Sequence, residues 1–140
     1  MSRKFGLAGL LRVRSIQEDR AAGALAAAHR TEQTARERAA ATARALGAQV
    51  TAPVADPATW QAAVAARAAL SGLLLEREAD EVAAAQVTAE RTVQWSAARQ
   101  ATRSVERLAE RHAQTVRVED ERAEQKVLDE VASRTPVVQP

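Results

Sequence analysis

Gly47-Ala48-Gln49-Val50-Thr51-Ala52-Pro53-Val54-Ala55-Asp56-Pro57 decides how this chain folds. No proline precedes Pro53, and none follows Pro57 until Pro136. Helix-breaking residues are thus concentrated in one place. Gly47 stands where a helix could end in a left-handed C′ residue. Asp56 followed by Pro57 reads as an N-cap with proline at the first helical position. The punctuation predicts helix 1 over about residues 3–46, a linker at 47–57, helix 2 over about 58–134 and a tail at 135–140. The fold class expected is all-α, a single antiparallel coiled-coil hairpin with the second helix longer.

Composition supports thin helices rather than a thick core. The chain has 140 residues and is 46% hydrophobic, but 35 of its residues are alanine. Its aromatic residues are Phe5, Trp60 and Trp95. Alanine favours helix strongly and contributes little buried area. Twenty basic residues face eighteen acidic ones, a net charge of +2. The signs are interspersed, which suits a solvated helix surface better than a nucleic-acid footprint. No stretch approaches the ~18 apolar residues of a membrane span. The apolar run after the basic start is broken at Arg12 and Arg14, too soon for a signal-peptide core.

The longest regular pattern in helix 2 is an apolar stripe. It runs through Trp60, Val64, Ala68, Ser71, Leu75, Ala79, Val82, Gln86, Ala89, Val93, Ala97, Ala101, Val105, Leu108, His112 and Val116. Its average step is slightly above the helical repeat, which predicts a nearly straight seam with no strict heptad. Helix 1 offers a weaker seam of Leu7, Leu11, Arg14, Glu18, Ala21, Leu25, Ala28, Glu32, Ala35, Ala39, Thr42 and Leu46. Folding back about the centre of the linker would pair positions whose numbers total about 106. Trp95 would then lie beside Leu10 and Leu11, and helix 2 would be unaccompanied beyond about residue 104. Both tryptophans are expected to pack, Trp60 at the turn and Trp95 at the N-terminal end.

Little in the chain suggests catalysis. The five glycines match no phosphate-binding loop, and there is no cysteine. His29 and His112 are far apart in the predicted hairpin, and a metal or acid–base role is the weaker reading of each. Glu76, Glu78, Asp80 and Glu81 read as solvated helix surface. No cofactor, metal or enzymatic activity is expected. The adjacent Leu73, Leu74 and Leu75, with Leu70, cover about 200° of a helix, more than one partner helix can bury. They are either a broadened core or a docking patch.

The two ends are more specific. Lys4-Phe5-Gly6-Leu7-Ala8-Gly9-Leu10-Leu11-Arg12-Val13-Arg14, followed by Glu18, Ala22, Leu25 and Ala28, resembles the opening of FliJ-type flagellar export proteins. Glu119 to Arg134, with Gln125-Lys126-Val127-Leu128-Asp129-Glu130-Val131-Ala132 at its centre, is similar to that family's closing segment. The resemblance implies a cytoplasmic component of the bacterial type III flagellar export apparatus, peripheral to the inner membrane at the flagellar base. It implies a stalk-like coiled coil, monomeric in its complex, that binds the export ATPase FliI and promotes assembly of its ring. Contacts with the export gate protein FlhA and with substrate chaperones are also implied. The residues expected at the ATPase end are Leu7, Leu11, Arg14, Gln125, Leu128, Asp129 and Glu130. Leu73 and Leu74 are expected on the gate or chaperone side. The alanine-heavy seam and the proline-containing linker depart from the family's pattern. The alternatives are another coiled-coil adaptor or dimeric scaffold, and, with less support from the charge pattern, a binder of membrane or nucleic-acid surfaces.

Overall fold

The computed structural model describes residues 4–49 and 56–134 and contains two helices, α1 (Ala8–Gly47) and α2 (Pro57–Arg134), of 40 and 78 residues. The central linker and the tail beyond Arg134 lie largely outside the described residues. Helix α2 begins as its sequence dictates. The Asp56 carboxylate accepts the backbone N–H of Ala58 at 3.4 Å and that of Thr59 at 3.2 Å, together with the Thr59 hydroxyl at 2.9 Å. Those bonds satisfy donors that the first helical turn leaves unpaired. They also hold the Asp56 carboxyl below its ordinary value of 3.8, the Thr59 hydroxyl bond contributing most.

The end of α1 differs from expectation. Gly47 is its last helical residue, and no described residue has a positive φ. The helix closes instead through Ala48 N–H to Arg44 C=O at 2.9 Å and Gln49 N–H to Leu46 C=O at 3.3 Å. These bonds cap the last carbonyls without a left-handed residue, so the glycine's freedom is not used. The start is later than predicted, at Ala8 rather than near residue 3.

The chain divides into two compact units. Unit 1 comprises residues 1–18 with 98–140, and unit 2 comprises 19–97. In each, α1 and α2 run antiparallel in one register. Phe5 and His112 place their rings 5.7 Å apart in unit 1, where Arg99 also bonds Glu18 at 2.7 Å. In unit 2, Arg36 bonds Glu81 at 3.2 Å. The residue numbers in each pair total 117, not about 106. Trp95 is therefore level with Ala22 rather than with Leu10 and Leu11. In unit 2 the first thirteen residues of α2, 57–69, run past the level of Gly47. The centre of the linker does not set the register, because the inter-helix pairs do. In unit 1, α2 continues from about residue 113 with no opposite helix among the described residues, about nine residues later than the sequence alone suggested.

The seam of α1 is close to the predicted one. From Leu11 to Leu46 its eleven positions are all buried or half-buried, at alternating steps of three and four, whereas Leu7 is exposed. The seam of α2 is different. It runs through Leu74, Arg77, Glu81, Ala84 and Thr88 to Trp95 in unit 2, and through Ala98, Thr102, Val105, Ala109, His112 and Val116 in unit 1. This is a seven-residue period, the one at which helix pairs wind left-handed, so the expectation of no strict heptad is overturned. Thr88 and Thr102 are among the most buried side chains, at 7% and 3% exposure. Each satisfies its hydroxyl on its own helix, at Ala84 C=O and Ala98 C=O, both 3.1 Å away. Its methyl is then free to face the neighbouring helix.

Such a seam is thin. The buried apolar residues are Ala28, Ala39 and Val105, and no large side chain is fully buried. A buried methyl contributes ~0.8 kcal/mol against about 1.5–3 for a leucine. Apolar burial therefore discriminates weakly between registers, and polar pairs gain influence. The strongest is Glu18, whose side chain is 14% exposed. Its hydrogen bond to Arg99 chiefly, assisted by one to Thr102, holds its carboxyl below 4.5. A carboxyl depressed on folding contributes stability above its unfolded value, and that contribution is lost as pH falls through its folded value. Thermal melts followed by circular dichroism are expected to show a melting temperature that drops below about pH 4.5. Glu18→Gln should lower the melting temperature at pH 7 and flatten that acid dependence; Asp56→Asn should act in the same sense at still lower pH.

Candidate interaction surfaces

The described residues hold no constellation suited to catalysis, and no group of three His, Asp or Glu among them could hold a metal ion. Asp80 is engaged by Arg77 at 3.6 Å and Glu81 by Arg36, while His29 lies 3.9 Å from Glu32. The main concavity of unit 2 is an open trough of about 770 Å³, floored by alanines such as Ala28, Ala35 and Ala84 and edged by Thr31, Thr34 and Val87. It offers no nucleophile beside a base. The features with functional content are exposed apolar faces.

Unit 2 presents one of them on α2. Leu75, Val82 and Val93 are 70%, 59% and 69% exposed. Ala79, Gln86 and Ala89, at the intervening helical steps, are exposed as well. This is the central part of the stripe that the sequence displays most clearly. The stripe exists, but α1 does not cover it. Side chains one position earlier in the heptad, Leu74 and Glu81, face α1 instead, which leaves the larger residues outward. Glu76, Glu78 and Glu90 flank the stripe and have no ion-pair partner among the described residues. Leu73 and Leu74, predicted as a docking site, are half-buried; the neighbouring Leu75 is the leucine left open. Trp60 is 53% exposed, and the turn it was expected to pack against lies largely outside the described residues; Trp95 is half-buried in the seam of unit 2 rather than at the N-terminal end.

Unit 1 carries two further faces. The first is at its N-terminal end, where Leu7 in the turn before α1 and Leu10 and Val13 of α1 are 40–50% exposed and Leu108 of α2 is 44% exposed. Leu11 and Arg14 sit at the seam, half-buried, and Arg14 donates to the Gln17 side-chain oxygen at 3.1 Å. The second is the unaccompanied part of α2. Val127, Leu128 and Val131 are at least 60% exposed there. This segment is held locally, by Gln125 donating to Asp129 at 3.0 Å and by the predicted Glu130–Arg134 pair at 2.8 Å. The residues predicted for one site thus fall into two sets. Leu7 is level with Glu110, so Gln125 to Glu130 lie roughly 20–30 Å farther along α2.

The sequence reading missed the outward direction of Leu75, Val82 and Val93. The available signal was the parallel heptad of small and polar residues one step away, which a search for large apolar side chains passes over. No helix among the described residues is long and apolar enough to cross a membrane.

Comparison with known proteins gives one match. The family described as flagellar FliJ protein matches residues 3–139, nearly the whole chain. No curated protein and no solved structure matches it. A two-helix antiparallel coiled coil with a longer second helix, matched over nearly its whole length by that family, belongs to the FliJ family, a component of the flagellar export apparatus.

Proposed function

We propose that this chain is the coiled-coil stalk of the export apparatus, binding the export ATPase FliI through unit 1 and promoting assembly of its ring. The observation that carries this reading is the stretch of α2 from about residue 113 to 134, which faces no opposite helix among the described residues and exposes Val127 and Leu128. A lone helix of some twenty residues is marginal in water, since helical stability derives mainly from packing an amphipathic face. A partner that enclosed this segment would supply that packing. Gln125, Leu128, Asp129 and Glu130 are the contact residues proposed there. Leu7, with the seam residues Leu11 and Arg14 behind it, forms a second contact nearer the start of α1.

The exposed stripe of unit 2 is the surface we assign to the export gate protein FlhA or to substrate chaperones. Leu75 and Val82 stand at its centre, and Leu73 and Leu74 border it. Its period of three and four residues is that of a helix accepting another helix. In this reading the protein is monomeric in its complex, acts in the bacterial cytoplasm and reaches the membrane through the gate.

Removing everything after residue 112 should leave both units helical by circular dichroism while abolishing stimulation of ATPase ring assembly, measured by co-purification and turnover. Full stimulation by the shortened chain would refute the stalk reading. Leu75→Asp with Val82→Asp is expected to weaken gate or chaperone capture at least tenfold with little change in melting temperature. Leu74→Asp, placed in the seam, should lower the melting temperature instead. Unchanged capture by the first variant would exclude the stripe as the docking surface.

A further inference from the structure

The N-terminal end of unit 1 differs in charge from the rest of the molecule. Before Glu18 the chain has no acidic residue, but it has Arg3, Lys4, Arg12 and Arg14. Across α2, residues 98–112 add Arg99, Arg103, Arg107 and Arg111 against Glu106 and Glu110. Within 4–18 and 98–112 together, seven basic residues face three acidic ones. Glu18 is occupied by Arg99. Helical spacing puts Glu106 and Glu110 on the side of α2 that carries Arg99 and Arg103, whereas Leu108 shares a side with Ala101, Ser104 and Arg111. Arg12, Arg107 and Arg111 have no ion-pair partner among the described residues.

Exposed apolar side chains coincide with this positive charge. Leu7, Leu10, Val13 and Ile16 are 41%, 40%, 50% and 46% exposed, and Leu108 is level with Gly9 between the first two. They follow steps of three, not the alternating three and four of the stripe on unit 2. Each such step regresses by about 60°, so Leu10, Val13 and Ile16 sweep roughly 120° around α1, and Leu7 in the turn before it extends the band. A single partner helix covers a narrower stripe. A band this broad, bordered by cations on long flexible stems, matches the headgroup region of a bilayer, which accepts apolar side chains and leaves charges among the phosphates.

We propose that this end of unit 1 docks reversibly on an anionic lipid surface, with Leu7, Leu10, Val13 and Leu108 inserted and Lys4, Arg12, Arg107 and Arg111 among the headgroups. The charge reverses immediately beyond it. Residues 113–134 carry four basic and six acidic residues, so the unaccompanied segment of α2 is held away from the same surface. Lipid contact of this kind is direct, unlike recruitment through a gate protein. Because Leu7 also belongs to the face proposed for the ATPase, the two occupancies exclude one another.

Co-sedimentation of the full chain with vesicles tests the idea without other export proteins. Vesicles containing a quarter phosphatidylglycerol should retain the protein at 0.1 M salt, and pure phosphatidylcholine should not. Leu10→Asp with Val13→Asp should reduce retention at least tenfold while circular dichroism is unchanged. Arg107→Gln with Arg111→Gln, which leaves every apolar residue in place, should reduce it roughly thirtyfold, at about 1 kcal/mol per arginine. Absence of retention on anionic vesicles, or equal retention on neutral ones, would overturn the proposal. So would retention unaffected by Leu10→Asp with Val13→Asp, accompanied by equally tight binding of a short DNA duplex, since charge alone would then account for it.

Discussion

The helix pair depends on a seam that holds very little apolar material. Alanine and threonine let α1 and α2 approach closely, but each contributes about one methyl group, and Ala28, Ala39 and Val105 are the buried apolar residues. Sliding one helix by a heptad would exchange one small side chain for another at slight cost. What resists sliding is the set of side chains that can meet only in one register: Glu18 on Arg99 in unit 1 and Arg36 on Glu81 in unit 2. Polar seam residues that specify register rather than add stability are an established use of charge in coiled coils. Their effect here is to fix which residues are level.

That choice determines what remains outside. With the mostly small and polar heptad of α2 turned toward α1, several of its larger apolar residues are left facing solvent. Leu75, Val82 and Val93 then form a continuous outward stripe on unit 2. The same register brings Phe5 level with His112 and leaves the rest of α2 in unit 1 with no opposite helix among the described residues. The exposed faces are therefore consequences of the pairing. A chain that spends its weakest side chains on its own fold keeps its strongest ones for partners, as a component of an assembly requires.

Much of the fold was legible in the sequence. The Asp56–Pro57 start of α2 and the α1 seam from Leu11 to Leu46 are local patterns with local causes, and the structure has both of them. The α2 seam was legible in unit 1, where Val105, His112 and Val116 of the stripe are buried or half-buried, but not in unit 2, where Leu75, Val82 and Val93 lie on a different face from the one in use. Thr88 and Thr102 read as polar until their hydroxyls are seen bonded to Ala84 and Ala98. The register could not be read either, since it depends on residues such as Glu18 and Arg99 that are 81 positions apart. Of the candidate contact residues, Leu128 is openly exposed, whereas Leu73 and Leu74 are half-buried beside the exposed Leu75. The leucine cluster signalled an unsatisfied face, but not which member of it.

The family match places the chain in flagellar export, and the register explains how so small a core coexists with so many uncovered apolar residues. Because the protein contains no cysteine, introduced pairs report cleanly on which residues meet. Oxidative cross-linking of Ala21→Cys with Ser96→Cys, scored as a mobility shift under non-reducing conditions, is the most direct test. The account predicts ready formation of this disulfide within one chain, and none for Leu11→Cys with Trp95→Cys. The reverse pattern would show that the helices meet about eleven residues out of step with the register described, and the assignment of exposed faces would fall with it.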